Sequence, residues 1–457
     1  MKRAIVIGSG LAGLSAAYRL HRAGWDVTVL ERSDRLCGRV ITFRKGDYTI
    51  DGCATSISSH YTRYIALMRE IGLGDRLTDA SNVFGMVRNG AAYYVDGTTP
   101  IRSFLGTKIL SPAEKVRFTA GALKLKKYMT GVSLADPGPS VAYDHLSIRE
   151  VVEDCFGAAL TDTFMDPVMR VVTFGDVGNT TSVEFFTGLV SATGHYMNVL
   201  GGLETLPQAL ARKVRVKLAS PAKRIERRGT RAEVTYLDAA TGAEATEPVD
   251  ACVVTCTFPQ AVALDPALGV AGPALAARHE SADAYVVHLG YASATRTNPA
   301  AIALPRREFP LNPGIFLDHN KAPDRAPKGH SLFTLYYCPE AVPVVKGWTE
   351  AATIENARSV IERFFPEVRG SLDMANVKYA PYGSHLAPPG HFKAVGEFFA
   401  NHPASDPVQV GGDYFSLPSQ ETAVAWGERA AARVLDGMAS RSATRASAKR
   451  PAEEAVT

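Results

Sequence analysis

One local device limits what this chain can fold into. Within residues 3–31 stand a strand, a glycine turn, a helix, a second strand and an acid, in that order. Ala4, Ile5, Val6 and Ile7 form a short apolar run. Gly8, Gly10 and Gly13 follow at GxGxxG spacing. A helix pattern opens at Leu11 and puts Leu14, Ala17 and Tyr18 on one face, and the run DVTVLE ends at Glu31. Gly8 allows the tight turn, Gly10 lets the backbone approach a pyrophosphate, and Gly13 lets the helix lie close to the strand. Around Ser9, Leu11 and Ala12 the helix N-terminus presents free amides to the phosphates. Glu31, eighteen residues after Gly13, can accept hydrogen bonds from an adenosine ribose. Its charge repels a 2′-phosphate, which disfavours NADP. This order of parts predicts a Rossmann-like dinucleotide-binding unit.

The remaining chain must build around that unit. At 457 residues it is too long for one small core and predicts two domains or so. Hydrophobic residues at 46% and charged ones at 21% give a globular composition, and a net charge of +4 is too weak to argue for nucleic acid as a partner. No apolar run reaches the roughly 18 residues a membrane helix needs. The strand at Arg3 leaves no room for a cleaved leader. The six cysteines, at 37, 53, 155, 252, 256 and 338, make neither a CxxC metal pattern nor a dense disulfide framework. No metal site is expected, and a reduced, cytoplasmic setting fits best.

The stretch ERSDRLCGRVITFRKGDYTIDGCATSI resembles the flavin amine oxidase superfamily, which includes monoamine oxidases, protoporphyrinogen oxidases and carotenoid desaturases. Glu31, Arg32, Gly38, Arg39 and Asp51 match its acid, arginine, Gly-Gly-Arg turn and Asp-x-Gly segment. Cys37 and Cys53 stand where that pattern has glycines. The resemblance implies FAD, held without a covalent bond. It implies an α/β fold with a discontinuous Rossmann-like FAD-binding domain, 1–85, 200–265 and 390–440, and an inserted α+β substrate-binding domain, 86–199 and 266–389. Residues 441–457, low in apolar content, are expected to be a disordered tail. Cys53, Ala54, Thr55 and Ser56 would lie beside the cofactor and the backbone near Ala222 would meet the adenine. Gly412 and Asp413 would return to the ribityl chain. The last helix, through Gln420, Glu421 and Thr422, would point its positive end at the flavin's pyrimidine edge and favour the anionic reduced form.

No second GxGxxG exists, so electrons are expected to leave to oxygen or to an external acceptor. In relatives, hydride passes to the flavin N5 from a substrate in a mostly apolar cavity. Amine oxidases frame their substrate with aromatic rings, one at the start of the final helix, where aligning on GERAA puts Ser419. Their flavin-facing lysine has no counterpart in residues 283–291. GGDYFSLPSQETA is similar to the ending of carotenoid desaturases, which favours carbon–carbon dehydrogenation of a hydrophobic, cyclic small molecule. Tyr196, Tyr337 and Tyr414, with His195, are candidate acids or bases for the second proton. Amine oxidation to an imine with release of hydrogen peroxide, protoporphyrinogen-type oxidation, and a flavin-bound protein without turnover are the alternatives. Residues 102–127 hold seven cations against Glu114 alone. They read as a solvated helix face or as a weak contact with an anionic membrane surface. The oligomeric state is left open.

Overall fold

The computed structural model describes residues 1–52, 54–278 and 280–453, with the backbone alone for Val171 and 441–453. Five parallel strands form the first sheet, in the order Arg215–Lys217, Asp26–Leu30, Arg3–Ile7, Ala251–Val254, Val408–Val410. Both faces are covered, as an all-apolar parallel strand requires. One face carries Ala4, Val6, Val29 and Val253 against Leu14, Leu210 and Val434. The other carries Ile5, Ile7, Cys252 and Val254 against Phe258, Phe398 and Trp426. The first helix, Leu11–Arg22, packs against the last, Gln420–Glu453. Their contact is tight because Gly427 lacks a side chain: a Cβ there would stand 2.2 Å from the Ala12 carbonyl oxygen.

The three expected pieces of the cofactor domain therefore meet in one sheet. The expected boundary at 85/86 falls inside the strand Val83–Arg88, which belongs to a second sheet. That sheet has seven strands, in the order Leu372–Leu386, Glu280–Tyr291, Ser331–Tyr337, Gly314–Leu317, Ala301–Ala303, Val83–Arg88, Ala91–Asp96. Val287, Leu289, Leu335 and Tyr337 point from one of its faces into a core shared with Ala357 and Ile361 of the helix Glu350–Phe364. The opposite face turns toward the cofactor domain. A small three-stranded sheet joins the domains, pairing Tyr196–Val199 with Ile57–Ser58 and Leu77–Asp79.

The last helix continues as backbone to Glu453, through an alanine-rich run that propagates helix at little cost. Residues 454–457 lie outside the described residues.

Candidate active site

The nucleotide end is assembled from backbone. Gly8 takes φ +104°, and a Cβ on Gly13 would stand 1.9 Å from the Gly8 carbonyl oxygen, so both glycines are required by geometry. No side chain caps the first helix and no acid stands in its first turn. Its amides are left facing the open space in front of Gly10, where a Cβ would meet nothing within 4 Å. That cradle fits a pyrophosphate. Glu31 accepts from the Ser9 amide and hydroxyl at 2.9 and 2.8 Å and from those of Ser33 at 2.9 and 3.0 Å. Burial works against its charge, but these bonds prevail and hold its carboxyl below the ordinary range. The Ser220 amide donates to the Glu31 carbonyl, which brings the strand starting at Ala222 to this end. Arg32 is exposed beside it.

The turn after Glu31 folds back over the glycines. The Cys37 amide donates to the Ser9 carbonyl, and a Cβ on Gly38 would be 3.2 Å from the Gly10 Cα. Cys37 is fully buried with φ +78°, a left-handed conformation that favours glycine. Burial pushes its thiol far up, and the Glu204 carboxylate adds to this, so the thiol stays protonated and unreactive. Cys37→Gly should be more stable than Cys37→Ala by up to about 1 kcal/mol: relief of the left-handed strain is worth about 1–2 kcal/mol, less about 0.5–1 kcal/mol for the extra freedom of glycine in the unfolded chain. Urea midpoints of the two variants measure this, and a lower midpoint for Cys37→Gly would overturn the strain argument. Cys53 lies outside the described residues.

Arg39 closes the turn by pairing with Asp413 at 2.5 Å, which ties the N-terminal piece to Gly412–Asp413. Asn198 Nδ2 holds the Thr55 carbonyl at 3.0 Å, and Gln420 Nε2 reaches the Ser56 carbonyl at 3.3 Å, so the Ala54–Thr55–Ser56 loop is pinned from both sides. Gln420 Oε1 is buried without a hydrogen-bond partner, an acceptor available to a flavin N–H. The side chains of Glu421 and Thr422 bond elsewhere within the protein. Glu421 accepts the amides of Arg63 and Tyr64 at 3.0 and 2.9 Å, capping the helix Thr62–Glu70. The Thr422 hydroxyl donates to the Leu417 carbonyl at 2.6 Å, and the Ser419 hydroxyl accepts the Thr422 amide at 3.2 Å, capping the last helix. The positive end of the last helix, on which the expected flavin contact rests, is not altered by these side-chain bonds.

Above this loop lies the inward face of the seven-stranded sheet. Its pairings put Asn376, His288, Thr334, Phe316, Ala301 and Phe84 in one row across five strand contacts. The neighbouring row holds Lys378, Val286 and Tyr336. Tyr336 packs on Phe174 at 5.0 Å and on Phe316 at 5.4 Å, and Tyr196 packs on Phe84 at 4.7 Å. His288 Nε2 lies 3.3 Å from the Asp51 carbonyl; burial drives its pKa down to about 4, so it is neutral. Buried Lys321 stands 4.6 Å over the Phe316 ring and pairs with Asp318 at 2.5 Å. This lysine comes from the segment after Gly314–Leu317, a place the sequence reading did not consider.

Of the four catalytic candidates, Tyr196 alone reaches this face. Tyr337 is the strand neighbour of Tyr336 and therefore points to the opposite face, where its hydroxyl donates to Asn356 Oδ1 at 2.9 Å. The ring of Tyr414 packs in the cofactor-domain core against Phe415 and Phe258. His195 is exposed. A residue that the reading missed is Glu184. It follows Thr181 at capping-box spacing, as Glu114 follows Ser111 and Glu150 follows Ser147. Those two fold back onto their helix ends, whereas Glu184 turns inward, fully buried, to 3.7 Å from His385 Nε2. Burial, with the charge of Asp413, raises its carboxyl well above the ordinary range, so it is a neutral acid.

Known proteins share this fold. An L-amino-acid oxidase of Sistrurus catenatus edwardsii is 26% identical over 57% of this chain and 51% of its own, so the chain spans about half that relative's length. Cyclohexylamine oxidase from Brevibacterium oxydans IH-35A superposes with a TM-score of 0.75 at 16% identity, over 96% of this chain and 99% of its own. A protein titled putative protoporphyrinogen oxidase from Exiguobacterium sp. 255-15 does so with 0.73 at 17% identity, over 95% and 98%. At such identities these two likenesses speak for the fold. The family model of the flavin containing amine oxidoreductases matches residues 11–435, from the pyrophosphate cradle to the last helix. With the cradle, the Arg39–Asp413 tie and the open Gln420 acceptor converging on one flavin-shaped demand, this chain belongs to the flavin containing amine oxidoreductase family and uses FAD.

Proposed function

We propose that this FAD-dependent oxidoreductase removes a hydride and a proton from a hydrophobic, cyclic small molecule, forming a carbon–carbon double bond. The observation that carries the reading is the aromatic sheet face, where Tyr196 packs on Phe84 and Tyr336 packs on both Phe174 and Phe316. Bound FAD supplies the hydride acceptor. The chain's own residues orient the substrate and exclude water, which leaves positioning as their main contribution. Burial raises the pKa of the Tyr196 hydroxyl, which suits it to donate a hydrogen bond to a substrate oxygen at neutral pH. Ser419 caps the last helix, so the residue at that place supplies no ring of its own to frame an amine. Reoxidation by oxygen or by an external acceptor, and non-covalent attachment of FAD, belong to the same proposal.

Amine oxidation is the second reading, and one observation favours it. The Tyr61 hydroxyl lies near Ser419, so an aromatic ring reaches that region from another part of the chain. Anaerobic bleaching of the flavin's visible band with matched panels of amines and ring ketones separates the two. We expect reduction by a ring ketone to be fast and by simple amines slow. Fast bleaching by an amine with none by ketones would replace the first reading with the second.

A further inference from the structure

Two neighbouring helices, Pro100–Gly106 and Pro112–Leu125, carry an apolar surface that the fold leaves uncovered. Ile101 is 76% exposed, Leu105 66%, Val116 72% and Leu123 61%. The spacing is regular. Ile101 and Leu105 are four residues apart, and Ala113, Val116, Ala120 and Leu123 follow helical spacing along one exposed stripe. The opposite side of the second helix is the one that packs: Gly121 lies against Phe156, and Phe118 contacts Phe104, Phe156 and Phe164. The outward stripe is therefore not a folding requirement.

Cations rim the stripe. Arg102, Lys108, Arg117, Lys126 and Lys127 are exposed around it. Acids are committed elsewhere: Glu114 is bound by Arg88 at 2.9 and 3.0 Å and closes a capping box with Ser111. Asp154, which pairs with Lys124, offsets one further cation. Among the described residues no helix is long and apolar enough to cross a membrane. What remains is a shallow apolar ridge inside a ring of positive charge, the pattern of a helix that lies in the headgroup region with its apolar side down.

We propose that these two helices dock the protein on an anionic lipid bilayer. Ile101, Leu105, Val116 and Leu123 enter the boundary between headgroups and acyl chains, and the five cations meet the lipid phosphates. The charge ring distinguishes this occupant from a second copy of the chain, whose identical ring would face it with like charge.

Co-sedimentation of the full FAD-loaded chain with vesicles tests this. We expect binding to vesicles of equal phosphatidylglycerol and phosphatidylcholine, and at least about tenfold weaker binding to phosphatidylcholine alone or at high salt. The double variant V116D/L123D changes exposed positions only and should keep its flavin spectrum while losing about tenfold or more in vesicle binding. K126E/K127E should weaken binding to anionic vesicles without altering the residual binding to neutral ones. Equal binding by wild type and V116D/L123D, or no binding to anionic vesicles, would overturn the proposal. So would a wild-type dimer in solution that V116D/L123D converts to monomer, which would assign the ridge to self-association.

Discussion

Arg325→Met should cost about 3–5 kcal/mol of stability, because it leaves a buried carboxyl without its partner. Arg325 is 1% exposed and lies 3.1 Å from Asp51 Oδ2. It also donates to Asn198 Oδ1 at 2.8 Å and to the Val199 carbonyl at 2.9 Å. Asp51 Oδ1 in turn accepts from the Thr42 hydroxyl at 2.6 Å and the Leu203 amide at 3.0 Å. The pair thus joins the Asp51 loop, the strand Tyr196–Val199, the Leu203 turn and the substrate-side segment after residue 317. Burial raises the Asp51 carboxyl even with Arg325 in place, so its charge depends on that guanidinium. Urea unfolding of wild type, Arg325→Met and the double variant with Asp51→Asn measures the effect. The double variant should recover part of the loss, since removing both charges removes the uncompensated one. A single-variant loss under about 1 kcal/mol would show that the pair is screened as a surface pair would be.

Glu31→Ala and Asp413→Ala should each weaken FAD binding by roughly 10- to 150-fold, the worth of a hydrogen bond to a charged group. Glu31 also holds the Ser9 turn and the Ser33 turn, so its loss acts on the cradle as well as on a ribose. Asp413 holds Arg39, so its loss frees the turn that covers Gly10. Fluorescence titration of apoprotein with FAD gives both dissociation constants. Unchanged constants in both variants would remove these residues from the cofactor site. The pH dependence follows from the depressed carboxyl of Glu31. Its contribution is complete above the ordinary carboxylate range and is lost as pH falls through the lowered value. FAD retention should therefore hold through mildly acidic solution and fail only below that range.

The first thirty-one residues were legible because their chemistry is local: turn, amides and acid are all within one βα unit. The Asp413 return was legible by resemblance alone, and Arg39 completes it across 374 residues of chain. The substrate side was not. Tyr336 and Tyr337 are equivalent as letters, and strand register decides which one faces the cofactor. The Glu421 side chain caps a helix more than 350 residues away in the chain, a partner no local spacing announces. Glu114, Glu150 and Glu184 share one capping signature, and the tertiary surroundings send the third elsewhere. No spacing rule carries that information.

The strand order also has a consequence for how the protein is made. Arg3–Ile7 lies at the centre of its sheet, yet one flanking strand begins at Ala251 and the edge beyond it at Val408. The helix that lies against Leu11–Arg22 begins at Gln420. At a synthesis rate of about 5–20 residues per second, the first glycine turn waits roughly 20–80 s on the ribosome before its last neighbours exist. Through that interval the apolar faces of Val6 and Leu14 are open to chaperones and to other nascent chains. A message truncated before codon 408 would yield the nucleotide fingerprint intact in sequence and unable to close.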